Sequence, residues 1–316
     1  MESEAAEYEN LYGKILDRFN EEYITRTGRM VSETQTACVL ALHFNLAKKE
    51  YRERIFTSLI ANLARHNDHL VTGFVGTPYL CHNLSENGRH DLAGKLLLHD
   101  DYPSWLYAVK MGATTIWERW NSMKPDGTFD ESGMNSFNHY AYGSVGDWMY
   151  QRLAGIQIIE PGYKKIKIAP EFIKGITSVT GKLKTMYGEV SCSWRCENNM
   201  ITVDIVIPVN TTAIVHLPEK EESFEMGSGT YHYSYETKTV LELDKFSMDT
   251  TLGRILAEPL AVQMLEQMAP GMTENPMIQY AHHQSLTELT AYMPEGGAQM
   301  MQVVVDALNE AESNKN

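Results

Sequence analysis

PGYKKIKIAP, residues 161–170, marks the point where the chain changes its period. Upstream of it apolar residues recur every three or four positions; from here on they alternate in twos. The alternation continues in TSVTGKLKT (177–185), GEVSCSW (188–194), MITVDIVIPV (200–209), TTAIVHLP (211–218) and GTYHYSYE (229–236), with Gly and Asn between the runs. Side chains two apart share a strand face, so Ile201, Val203 and Ile205 line one side. The set predicts an antiparallel β-domain of roughly 75 residues, built as a sandwich.

Working back from residue 161, the pattern is helical. Tyr8, Leu11, Tyr12, Ile15, Phe19 and Tyr23 place an amphipathic helix over 5–25. ETQTACVLALHFNL (33–46) is apolar nearly all round, which predicts a buried helix. Tyr51, Ile55, Leu59 and Leu63 predict another over 50–66, and shorter ones follow near 78–86, 89–98 and 103–110. Tyr142, Val145, Met149 and Leu153 carry the spacing through 139–153, making about seven helices in all. Forward from about 249 the helical period returns in a Met-rich, acidic segment punctuated by Pro259, Pro270, Pro276 and Pro294. The expected domains are 1–160, 161–246 and 247–316.

The net charge of −14 is uneven, since residues 219–316 hold 16 Asp/Glu and 5 Lys/Arg. No basic stripe is present for a phosphate backbone, so nucleic acid is not an expected partner. No apolar run is long enough for a membrane span. The start, MESEAAEYEN, has neither the basic nor the apolar region of a secretory signal. Four cysteines are too few for a disulfide framework in 316 residues. Reduced thiols and a cytoplasmic location are therefore expected. Neither metal nor cofactor is expected. His66, His69, His82 and His90 lie near one another in sequence without a carboxylate pattern to complete a site. The loop VTGFVGTP (71–78) lacks the Gly-Lys-Ser/Thr ending of a phosphate loop, and its glycines suit close backbone approach.

Chemistry concentrates in one span. Residues 102–148 contain Trp105, Trp117, Trp120 and Trp148, four of the five tryptophans, interleaved with Thr114, Thr115, Glu118, Arg119, Asn121, Asn135, Asn138 and His139. Aromatic faces between paired donors and acceptors suit a carbohydrate: C–H faces pack on rings, and hydroxyls need partners. GATTIWERW (112–120) sets Glu118 between two tryptophans, where an unpaired carboxylate is costly. Two readings stand side by side: a carboxylate tuned to take a proton from water, or a structural ion pair with Arg119. His139 reads either as a satisfied core histidine or as a hydrogen-bond partner for a sugar hydroxyl. Asn138 is placed to cap the helix that follows.

TGFVGTPYL (72–80), YPSWLYAVKMGATTIWERW (102–120), SFNHYAYGSVGDWMY (136–150), PGYKKIKIAP (161–170) and TMYGEVSCSW (185–194) together resemble the bacterial α-L-rhamnosidases of glycoside hydrolase family 78. The resemblance runs from near residue 8 to near 245 and implies an α+β multidomain fold. That fold is a partial (α/α)6 helical barrel followed by an antiparallel β-sandwich, here with a small helical tail. It implies hydrolysis of terminal α-L-rhamnose from glycosides with inversion. It also implies Glu118 as general base, His139 and Asn138 at the sugar, and Trp105, Trp117 and Trp120 lining the pocket. The family's general acid belongs to a motif ending Leu-Gly-Trp-Thr-Gly-Asp, which this sequence lacks, and a full barrel needs twelve helices. The expectation is a C-terminal portion of such an enzyme, inactive or very weak alone. Its uncovered helix faces would be met by the other half or by a second copy. The alternative is a rhamnose-binding or structural fragment that needs a partner chain.

Overall fold

In the computed structural model of the chain, residues 2–313 are described, apart from 132, 274, 276, 277 and 283. The chain divides into two compact units, Met1–Glu242 and Leu243–Asn316.

The first unit begins with α1 (Glu2–Tyr23), α2 (Gln35–His43), α3 (Lys49–Arg65), α4 (Thr77–Glu86), α5 (His90–Leu98) and α6 (Trp105–Lys110). A composite helical segment follows: a 3-10 turn at Ala141–Ser144, α7 (Val145–Trp148) and a π turn at Met149–Leu153. The starts of α2 and α6 are fixed by side chains: Thr34 Oγ1 accepts the Ala37 N–H at 3.2 Å and Ser104 Oγ accepts the Tyr107 N–H at 3.0 Å. The all-round apolarity of α2 has the expected result, with Cys38, Val39, Ala41 and Leu42 buried against α3 and α4. Ile55, Leu59, Leu63, Leu80, Leu84, Leu96 and Trp148 complete this core.

Two four-stranded sheets face each other after residue 155. One has the order β1 (Ile156–Ile158), β2 (Lys165–Ile168), β6 (Thr212–His216), β7 (Ser223–Met226); the other β3 (Ser178–Thr185), β4 (Gly188–Glu197), β5 (Met200–Ile207), β8 (Gly229–Glu236). Ile166, Ile168, Ala213 and Val215 of the first meet Val190, Cys192, Trp194, Ile201, Val203 and Ile205 of the second in one core. Two details depart from the periodicity reading. Strand structure starts at Ile156, five residues ahead of Pro161, because β1 pairs with β2 in the register Ile156↔Ile168. The first sheet is mixed, for β2 and β6 run parallel with Lys165 opposite Thr212. Between them the chain lays down three strands of the other sheet, and such a crossover returns it in the same direction. Cys192 and Cys196 lie on one face of β4; both are buried free thiols, and burial pushes Cys192 up to about 12.

The helices and the sandwich are joined inside this unit. The Trp194 indole N–H donates to the Leu153 carbonyl at 2.8 Å, and Arg152 reaches Glu171 at 2.8 Å and Glu86 at 3.3 Å. Gly155 turns the chain at φ +75°, where an added Cβ would lie 2.1 Å from the Pro170 nitrogen, so only glycine fits.

The second unit has its own core. α8 (Leu252–Leu256), α9 (Pro259–Met268), α10 (Ile278–Ala281), α11 (Leu286–Thr290) and α12 (Gly297–Ser313) bring together Leu252, Ile255, Leu265, Leu286, Met301, Val304 and Leu308. Ser285 and Glu288 form a capping box at α11, and Thr251 pairs with Ser285 in an antiparallel bridge. Pro276, one of the prolines expected to break this segment, lies outside the described residues. No helix among the described residues is long and apolar enough to cross a membrane.

Candidate active site

GATTIWERW is not helical. It forms a loop after α6, held against the loop that precedes the 3-10 turn at Ala141. The Glu118 N–H donates to the Ser136 carbonyl at 2.8 Å and the His139 N–H to the Ile116 carbonyl at 2.8 Å. The Thr115 hydroxyl donates to the Phe137 carbonyl. Trp117, buried beneath, packs edge-on to Phe137 at 5.2 Å. The two loops thus fix each other's backbone without forming a sheet.

This pairing presents a half-buried Glu118 to a cleft of about 420 Å³, within the range of ligand pockets. Gly73 and Phe74 supply one wall, Tyr102 and Met134 others, and Glu118, Arg119, Trp120, Asn121 and Tyr142 the rest. Every element but Tyr142 is loop. The Ser136 N–H donates to Glu118 Oε2 at 2.7 Å, which fixes the carboxylate. Arg119 turns to Asp130 at 3.9 Å, and Asp130 also accepts from Asn121 at 2.7 Å. The residue-type alternative of a Glu118–Arg119 pair is therefore not the geometry adopted. Glu118 is the one carboxylate among the described residues lining the cleft.

The aromatic residues separate by position. Trp120 stacks on Tyr142 at 3.8 Å and 15° and donates its indole N–H to the Thr72 carbonyl at 3.3 Å. Trp105 stands edge-on behind Trp120 at 5.4 Å and donates to the Tyr142 carbonyl at 2.8 Å. Trp105 and Trp117 are buried and do not line the Glu118 cleft. They border a second, apolar cavity of about 440 Å³ with Leu106, Val109, Ile116 and Met149. Trp120 is common to both cavities. Burial, then the nearby Tyr102 and Glu118, raise Tyr142 above the usual phenol range.

His139 stacks on Phe74 at 4.7 Å and 16°, and so stands next to the cleft wall. The Ala141 N–H donates to its Nδ1 at 3.2 Å, which leaves Nε2 as the N–H of the neutral ring. This bond does the work expected of Asn138. Asn138 is exposed, receives no helix N–H, and instead donates its own N–H to Ser136 Oγ at 3.2 Å. Phe74 and Tyr142 were not legible as site residues. The glycines around Phe74 were the available signal: Gly76 lies so close to Thr36 that a Cβ would approach its hydroxyl to 2.7 Å.

The sequence-clustered histidines disperse. His66 bonds the Asn62 carbonyl at 2.8 Å, His82 meets Asp147 at 3.0 Å and His90 meets Ser85 at 2.9 Å. His69, His99 and Asp101 do converge, with donor atoms within 4.8 Å of one another. Their geometry argues against one shared ion. The imidazoles stack at 4.2 Å and 18°, whereas a metal ligates in the plane of each ring.

Residues 1–153 match the bacterial α-L-rhamnosidase six-hairpin glycosidase domain, and residues 155–232 match the bacterial α-L-rhamnosidase C-terminal domain. The chain belongs to the bacterial α-L-rhamnosidase family. An α-L-rhamnosidase of Formosa agariphila is 42% identical over 231 residues, covering 72% of this chain and 25% of that protein. The crystal structure of Streptomyces avermitilis α-L-rhamnosidase complexed with L-rhamnose superposes with a TM-score of 0.69 at 36% identity, over 73% of this chain and 24% of that one. The native Aspergillus terreus enzyme gives 0.70 at 36% identity, over 73% and 27%. The chain thus spans about a quarter of the length of the relatives it matches. The α+β architecture, six-hairpin helices followed by a β-sandwich, is that of the family.

Proposed function

We propose that this chain carries the water-activating side of an inverting α-L-rhamnosidase site, with Glu118 as general base. The observation that carries the reading is the placement of Glu118. It is a single carboxylate, fixed at one oxygen by a backbone N–H, on the wall of an aromatic-lined cleft. Its other oxygen is left to take a proton from water. Trp120 and Phe74 offer faces for the sugar's C–H surfaces, and His139 Nε2 is a donor for a hydroxyl. Trp105 and Trp117 act from behind, by holding Trp120 and the Glu118 loop.

Inversion requires a second carboxyl group about 6.5–9.5 Å away, on the leaving-group side, with room between for the water. Among the described residues the cleft lining contains no second carboxylate, and on this reading the acid is supplied from outside that lining, which leaves the cleft a rhamnose-binding half-site. That same observation supports the second reading, a non-catalytic rhamnose-binding fragment. Hydrolysis of p-nitrophenyl α-L-rhamnoside by the purified chain tests both. The expected result is little or no turnover, with L-rhamnose still changing tryptophan fluorescence in the wild type and in Glu118→Gln. Strong turnover abolished by Glu118→Gln would place the acid within this chain. Strong turnover that survives it would remove Glu118 as the base.

A further inference from the structure

We propose that His69 and Asp101 form a charged clasp that positions two walls of the Glu118 cleft, and that the clasp is released as pH rises. The ligand arm of this inference rests on the cleft reading above; the clasp itself does not.

His69 Nε2 lies 2.7 Å from Asp101 Oδ1, and its Nδ1 faces the carbonyls of Asn67 at 3.0 Å and His66 at 3.2 Å. Both ring nitrogens address oxygen acceptors. Only the imidazolium can donate from both, so the arrangement itself selects the charged ring. The bond joins two separate loops. His69 stands four residues before Gly73 and five before Phe74; Asp101 immediately precedes Tyr102. All three line the cleft. On the first loop the backbone is already tied, because the buried Gln35 side chain donates to the His69 carbonyl at 3.0 Å and accepts the Val71 N–H at 2.8 Å. The Trp120 indole N–H holds the next carbonyl, that of Thr72. The clasp carries this fixed frame across to Tyr102.

The surrounding charges are otherwise engaged. Asp68 pairs with Lys95 at 2.7 Å, Asp100 pairs with Lys110, and the His66 ring bonds the Asn62 carbonyl. His99, stacked on His69, is pushed down to about 4 by burial and then by the His69 charge, so it stays neutral. Asp101 is the carboxylate left to His69. Burial alone would lower His69, but the hydrogen bond and charge of Asp101, with the two carbonyls, raise it above the ordinary imidazole range. Burial alone would raise Asp101, but the hydrogen bond and charge of His69 hold it below the usual carboxylate range. The sign follows. A raised histidine contributes fully below its unfolded value and loses that contribution as pH rises through the folded one. The clasp is therefore complete below the ordinary imidazole range and opens as pH rises through the raised His69 value.

The test uses the full chain carrying 3-fluorotyrosine and 15N-histidine, titrated by NMR, with the Tyr102 signal assigned by Tyr102→Phe. We expect His69 to hold both ring protons throughout the ordinary imidazole range and to release one only above it, and the Tyr102 signal to shift in step with that release. In Asp101→Asn the His69 titration falls back towards the ordinary range and the Tyr102 step disappears; Asp101→Glu restores it in part. A His69 that is neutral at mildly acidic pH overturns the clasp. So does a Tyr102 signal that ignores the His69 titration in the wild type, a result that needs no change at His69 or Asp101. In parallel, L-rhamnose is titrated against tryptophan fluorescence. Its affinity should fall about tenfold across the His69 titration in the wild type and stay flat in Asp101→Asn. A wild type that never responds to L-rhamnose overturns the cleft reading, and the Tyr102 signal then decides the clasp alone.

Discussion

Strand β5 and helix α1 are equally regular in sequence and differently treated by the fold. In β5 Ile201, Val203 and Ile205 are completely covered by the facing sheet. In α1 the stripe Tyr8, Leu11, Tyr12 and Ile15 faces solvent, with Tyr8 at 71% and Ile15 at 49%, and the one buried residue is the polar Asn20. A periodic pattern fixes which face of an element is apolar. It does not supply the surface that covers that face. The sandwich carries both of its layers; α1 finds only the edge of the helical core, through Phe19.

The largest effect expected from this contrast lies where the closed region meets the helical one. Trp194→Ala removes a fully packed ring from the sandwich core and the indole bond to the Leu153 carbonyl. It should cost about 3–5 kcal/mol, read as a lower denaturation midpoint. A loss under about 1 kcal/mol would show that the sandwich does not depend on its seam with the helices.

A smaller loss is expected at Asn20. Its Nδ2 donates to the Leu16 carbonyl at 2.7 Å and the Leu46 carbonyl at 2.8 Å, and its Oδ1 accepts the Lys48 N–H at 3.1 Å. Asn20→Ala leaves these groups unsatisfied and should cost about 1–3 kcal/mol. Hydrogen exchange should show the loss concentrated in α1. If protection falls equally in the sandwich, the two regions are more tightly coupled than the contrast implies.

The same contrast explains what could be read from the sequence. Strands β3, β4, β5 and β8 were legible because eight or ten alternating residues over-determine a face. β1 and β7 were not: runs of three and four residues are too short to carry a readable period. In the site, Glu118 was legible because a carboxylate between two tryptophans is chemically odd wherever it lies. The three nearby tryptophans could not be ranked. Which of Trp105, Trp117 and Trp120 meets the cleft depends on how two loops pair through Glu118, Ser136, Ile116 and His139. That pairing leaves no periodic trace. The His69–Asp101 bond joins residues 32 apart and is likewise set by loop placement alone.

The smallest effect on stability, and the sharpest test of the contrast, belongs to the α1 stripe. Leu11 and Ile15 are about half exposed, so replacing them gives up little burial within this chain. The double substitution Leu11→Glu, Ile15→Glu should shift stability by no more than about 0.5 kcal/mol. A helix face this apolar is nonetheless a surface for association. Sedimentation should therefore show concentration-dependent assembly of the wild type and its reduction in the double variant. If the variant loses several kcal/mol instead, the stripe is covered within the chain, and α1 resembles β5 after all. If assembly is unchanged, the apolar face is not where the chain associates, and Val109 and Ile116, exposed beside the second cavity, become the next pair to replace.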